Sequence, residues 1–195
     1  MYSTKTATTN NEEFVGSYIP VGINENITLK DVSLNKSSNG RDFIEITFEN
    51  EQGQIATMSE WKNEKNMWIK TDEDLQNRDN QQFGRLLQII DAVNGTHTDF
   101  EGNNFVEMIN WVKTQLDSKK DTKLRLKVVY DNKGYTKVSS LGIFIEPMSV
   151  TDSQIKLFKR DLLERPVVAD KEDNPLINND IPVTENSENA SGLPF

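Results

Sequence analysis

Gly22-Ile23-Asn24-Glu25-Asn26-Ile27-Thr28-Leu29-Lys30-Asp31-Val32-Ser33-Leu34 changes parity half-way along. Ile27 and Leu29 fall on one face of an extended chain, Val32 and Leu34 on the other. Side chains of a strand alternate between two faces. A strand that buries both pairs must therefore switch its buried face near Lys30-Asp31, as a β-bulge does. A long first strand that bends and serves two sheets is a small-barrel feature.

Two more strands follow. Ser38-Asn39-Gly40 is a turn signal. Arg41 to Phe48 then alternates, with Ile44, Ile46 and Phe48 inward and Phe43, Glu45 and Thr47 outward. After a turn at Glu51-Gln52-Gly53, Gln54 to Trp61 reads as a third strand. The period then becomes helical: Phe83, Leu86, Leu87, Ile90 and Val93 share one face, and Asn94-Gly95 ends it. Phe105, Met108, Ile109, Val112 and Leu116 mark a second helix.

Strand pattern returns at Lys123. Leu124, Leu126, Val128 and Tyr130 take one face, and Lys123, Arg125 and Lys127 the other. Asp131-Asn132-Lys133-Gly134 is a hairpin turn, Tyr135 to Ser139 the return strand, and Gly142 to Glu146 a last short strand stopped by Pro147. Thr151-Asp152-Ser153-Gln154 has capping-box spacing, and Ile155, Phe158 and Leu162 follow on one face, so a third helix is expected before Pro166. Three strands, helices, then strands is the order of a five-stranded Greek-key barrel, the OB-fold. The expected class is mainly β with a helical insert: an OB-fold-like barrel plus two or three helices. The competing reading is another α+β domain with a mixed sheet.

The expected organisation is a disordered N-terminus over 1–13, the barrel domain over 14–150, a C-terminal helix over 151–165 and a disordered acidic tail over 166–195. From Asp170 to Phe195 there are six acidic residues and one basic, a composition with too little apolar surface to offset its ordering entropy. The chain ends on Leu193-Pro194-Phe195, an apolar plug on an acidic tether, suited to capture by a partner's pocket. There is no cysteine, which fits a reducing compartment, and neither a signal peptide nor a run of ~20 apolar residues is seen. A cytoplasmic protein without a membrane partner is expected.

Net charge is −9, of which the tail carries −5. From Lys113 to Lys137, eight basic residues face only Asp117, Asp121 and Asp131. That local stripe matters more for phosphate contact than the total, because screening isolates charges beyond ~8 Å at physiological salt. Enzyme signals are nearly absent. His97 is the only histidine, in a polar loop, and no Gly-rich phosphate loop occurs. No catalytic function, cofactor or metal is expected.

Binding signals are stronger. In Trp61 to Lys70, two tryptophans (Trp61, Trp68) interleave with three lysines (Lys62, Lys65, Lys70). Single-stranded nucleic acid is held by such residues: cations follow the backbone, and flat rings stack on unpaired bases at ~1–3 kcal/mol each. Lys123, Arg125 and Lys127 would stand ~6.6–6.8 Å apart along one strand face, with Tyr130, Tyr135 and Lys137 at the tip and return of the hairpin.

These features resemble the single-stranded DNA-binding proteins of bacteria and bacteriophages, which join an OB-fold to an acidic tail ending in an aromatic residue. The bacterial tails typically end Asp-Ile-Pro-Phe; here the end is Gly192-Leu193-Pro194-Phe195, with Asp180-Ile181-Pro182 upstream. Gly22 to Trp61 and Lys123 to Pro147 look like the barrel strands of phage-encoded replication proteins of this kind. The resemblance implies a protein that coats single-stranded DNA in replication or recombination, in the host cytoplasm if phage-encoded. It also implies a tail that recruits replication and repair proteins. Self-association stays open. The alternative class is a virion component or protein-only interaction module.

Overall fold

A computed structural model of the chain describes residues 16–117 and 119–166. The expected disordered ends, 1–13 and 166–195, lie outside these residues apart from Pro166, and so do Leu193, Pro194 and Phe195. The described residues form β1 (Gly22–Lys36), β2 (Asp42–Glu49), β3 (Ile55–Trp61), α1 (Asp72–Asn94), α2 (Phe105–Leu116), β4 (Leu124–Tyr130), β5 (Thr136–Val138) and β6 (Ile145–Pro147). The fold is mainly β: a six-stranded antiparallel sheet with two helices. Neither helix is long and apolar enough to cross a membrane.

β1 organises the sheet as its parity demands. Its second half, from Thr28, pairs with β2, and its first half, to Ile27, pairs with β4. The β1–β2 register shifts between Leu29 and Asp31, where the buried face changes from Ile27 and Leu29 to Val32. A second irregularity lies between Asn24 and Ile27, where Asn26 takes a left-handed conformation (φ 58°) that asparagine tolerates better than most residues. Leu34, expected inside, is partly exposed near the strand's end.

The strand path is β3-β2-β1-β4-β5, and β6 also pairs with β4. β1 takes one edge of β4; β6 (at Leu124–Leu126) and β5 (at Val128–Tyr130) divide the other. This corrects the expected five-stranded barrel: there are six strands, and no ladder joins β3 to β5 among the described residues. The two end strands nevertheless approach within 8 Å between Cα atoms.

The core is the inner face of this curved sheet, with Ile44, Ile46, Phe48, Leu124, Leu126 and Val128 against Leu86, Ile89 and Ile90 of α1 and Ile109 and Val112 of α2, all fully buried. α1 begins eleven residues before its apolar stripe. Thr71 and Asp74 form a capping box there: Thr71 Oγ1 accepts from the Asp74 N–H (3.0 Å), and Asp74 Oδ2 accepts from the Thr71 N–H (3.1 Å). The hydrogen bond from the Thr71 hydroxyl, then the one from its backbone, hold the Asp74 carboxyl below its ordinary pKa. Gly95, at φ 84°, supplies the left-handed residue that ends α1.

The third helix expected over 151–165 does not form. This segment is an irregular strap over the outer face of β4. Its backbone groups are used across the fold: the Lys156 carbonyl accepts from Lys127 Nζ (2.9 Å), and the Leu162 carbonyl accepts from the Tyr130 N–H (2.8 Å). These tertiary bonds compete with the local ones a helix would need.

Candidate nucleic-acid interface

The sequence-derived site splits into two groups with different fates. Trp61 ends β3, where its register partner on β2 is Phe43. The two rings stack with centroids 4.2 Å apart and planes 22° apart. The Arg41 guanidinium lies 5.7 Å from the Trp61 ring centroid. Sequence reasoning missed Arg41 and Phe43 as site residues. The outward parity of Phe43 was visible, but its cross-strand partner depends on register.

The backbone beneath this platform is fixed from both sides. Arg41 donates to the Lys62 carbonyl from Nε (3.0 Å) and Nη2 (2.6 Å), and Gln82 Nε2 of α1 donates to the Trp61 carbonyl (2.9 Å). Gln82 also donates to Glu60, whose buried carboxylate takes a forked pair of bonds from Arg85. A strand end that would otherwise fray is thereby tied to α1. Along the same outer face, Glu45 faces Ser59 and Thr47 faces Thr57, a polar floor beside the rings.

The loop from Lys62 to Lys70 is built to display Trp68. Asn66 Oδ1 accepts from the Trp68 N–H (2.8 Å) and the Ile69 N–H (3.1 Å), and the Asn66 N–H donates to the Ile69 carbonyl (3.0 Å). Ile69 is buried as the anchor, while Trp68 is 80% exposed and its neighbour Met67 73%. Lys62 and Lys70 are exposed and make no ion pair among the described residues; Lys65 reaches the exposed Asp72 (2.7 Å). An exposed ion pair of this kind is weak enough to yield to a phosphate. The third tryptophan, Trp111, belongs to a cluster with Phe83 and Phe100.

On the hairpin the expected phosphate face is corrected. Lys127 is fully buried. Its Nζ donates to the carbonyls of Leu141 (2.9 Å) and Lys156 (2.9 Å) and pairs with Asp161 Oδ2 (3.1 Å), with the Phe158 ring 4.6 Å away. Arg125 is nearly buried between Glu146 and Glu25. Its hydrogen bonds to Glu146, then Glu25, raise its pKa further. Burial pushes the Glu146 carboxyl up, but hydrogen bonds from Ser153, Arg125 and the Gln154 N–H outweigh it and leave the group below its ordinary value. Neither Arg125 nor Lys127 is therefore available to a phosphate: both point away from the core as expected, but Glu25 and Glu146 hold Arg125 and the strap covers Lys127. Lys123 is half-exposed and paired with Glu51 (3.1 Å).

The tip of the hairpin remains open. Tyr135 is 66% exposed, Lys133 and Lys137 are exposed, and Tyr130 is half-buried. Asp131 folds the turn, its Oδ1 accepting from the N–H groups of Lys133 (2.8 Å) and Tyr135 (2.9 Å). The bond from Tyr135 is the main reason the Asp131 carboxyl lies below its ordinary pKa. Gly134, at φ 80°, takes the left-handed position expected of it. His97 is an exposed loop residue whose Nδ1 meets Asp91 Oδ1 at 2.7 Å.

Compared with known proteins, the chain matches no family model and no curated protein.

Proposed function

We propose that the protein binds single-stranded DNA without catalysing a reaction, in phage or bacterial replication or recombination. The observation that carries this reading is the exposed tryptophan system. Trp68 is held in solvent on a hydrogen-bonded turn, and Trp61 is stacked at a fixed strand end, with exposed lysines beside both. Exposing so much apolar ring while committing backbone bonds to hold it there favours stacking on a ligand over a packing role. In this proposal Trp61, Trp68 and Tyr135 stack on bases, and Lys62, Lys65, Lys70 and Lys137 contact phosphates.

The strand path supports an OB-like reading. β3-β2-β1-β4-β5, with the helices between β3 and β4 and the end strands facing each other, is the order of a Greek-key barrel left unzipped at one seam. The acidic tail ending Leu193-Pro194-Phe195 is proposed to recruit partner proteins. The test is quenching of tryptophan fluorescence on titration with oligo-dT, with duplex DNA and RNA as competitors.

A protein-only adaptor is the second reading. Leu157, Phe158, Leu162 and Leu163 on the strap are all at least 36% exposed and favour it. Absence of quenching by any nucleic acid would favour that adaptor.

A further inference from the structure

The sequence aligns Lys123, Arg125 and Lys127 on one strand face, but the structure gathers exposed cations at the hairpin tip and the strap. A depression of about 420 Å³ lies between the β4–β5 turn and the strap. Lys133 and Lys137 line it from the hairpin and Arg160 from the strap. All three are exposed, and none makes an ion pair among the described residues. Arg165 adds a fourth cation: it packs over Gly134 so closely that a Cβ there would meet its Nε at 3.0 Å.

Two carboxylates, Asp131 and Asp161, also line the depression. Asp131 Oδ1 is held by the two N–H groups of its own turn. Asp161 is buried, bonded to Lys127 Nζ, to Ser139 Oγ (3.2 Å) and to the Phe158 N–H (2.7 Å). The Asp161 charge is matched by Lys127 inside the fold, so Asp131 alone stands against the three cations lining the mouth and Arg165. The depression is therefore a local positive site on a chain of net charge −9, and Tyr130 lines its wall. Exposed cations that outnumber the carboxylates around one depression suit a phosphodiester backbone, whose binding releases condensed counterions.

We infer that this depression is a phosphate subsite of the nucleic-acid surface, in which Arg160 and Lys137 hold backbone phosphates of a bound single strand. The inference rests on the single-stranded DNA reading and extends the surface to the strap, which the sequence had assigned to a helix. It replaces the buried Arg125 and Lys127 with cations that reach solvent.

The test measures oligo-dT affinity by tryptophan quenching across a series of salt concentrations. Three full-length proteins are compared: the wild type, Arg160→Gln/Lys137→Gln, and a control of equal charge loss outside the depression, Arg78→Gln/Lys159→Gln. All four substituted side chains are exposed, so melting curves are expected to match wild type. Losing two phosphate contacts lowers the slope of log affinity against log salt by about 1.4, at ~0.7 per contact on a single strand. The control keeps the wild-type slope. A double variant whose slope stays within that of the control overturns the subsite and leaves the DNA reading standing. A wild type that shows no quenching at low salt overturns the DNA reading itself.

Discussion

Removing one partner of the Lys127–Asp161 pair is the sharpest perturbation of the strap. Lys127 has no exposed surface, and its three donors meet two carbonyls and one carboxylate. Asp161 Oδ1 and Oδ2 are likewise fully used. Asp161→Asn leaves an ammonium charge buried without its counter-charge, a situation that costs about 3–5 kcal/mol. For a chain of this size, each kcal/mol lowers Tm by about 2–4 °C, so a fall of roughly 6–20 °C is expected. Urea unfolding followed by circular dichroism measures it, with an unchanged m-value showing that stability alone has moved. Lys127→Met/Asp161→Leu removes both charges and is expected to be more stable than either single variant. A cost below about 1 kcal/mol for Asp161→Asn would refute the buried pair. The pair also separates two accounts of DNA binding. If Lys127 were a phosphate contact, Lys127→Met would lower the salt slope by ~0.7; burial predicts no change in slope for the fraction that stays folded.

Trp68→Ala is expected to weaken oligo-dT binding by ~1–3 kcal/mol while leaving the urea midpoint unchanged, because the ring is 80% exposed. Trp61→Ala is expected to weaken binding and also lower the midpoint, since it removes the stack on Phe43. The Glu146 carboxyl is lowered in the folded state, so its stabilisation is present above the ordinary carboxylate value of about 4.3 and is lost as pH falls through the folded value. Glu146→Gln is therefore expected to lower the urea midpoint at neutral pH and flatten its decline below about pH 4.3. Deleting Gly192 to Phe195 is expected to leave oligo-dT affinity equal or tighter and to abolish capture of partner proteins, read by gel shift and pull-down.

The bend in β1 was legible because Ile27/Leu29 and Val32 cannot be buried together without the shift seen between Leu29 and Asp31. The hairpin at Asp131 to Gly134 and the end of α1 at Gly95 were legible from turn chemistry. The start of α1 was not, because Asp72 to Gln81 is mostly exposed and carries no apolar stripe. Alternation on β4 identified the strand and the side on which Arg125 and Lys127 stand. It could not show that this side is covered, because the covering acids Glu146 and Asp161 lie 21 and 34 residues further on, and Glu25 lies 100 residues before Arg125. The same strap defeated its own helix signal at Thr151, because its carbonyls serve Lys127 and Tyr130 instead. Trp61 and Trp68 stood out in the sequence, but the supports that position them, Arg41, Gln82 and Asn66, depend on register and loop closure.

The central claim is that the exposed tryptophans of an acidic chain meet unpaired bases. Its most direct test is tryptophan fluorescence of the full-length protein titrated with oligo-dT, with Trp61→Phe/Trp68→Phe as the paired variant. The account predicts quenching that is carried by Trp61 and Trp68 rather than Trp111, is lost in the variant, weakens steeply with salt and is outcompeted far better by single strands than by duplex. No quenching at low salt, or equal affinity for duplex DNA, would contradict it.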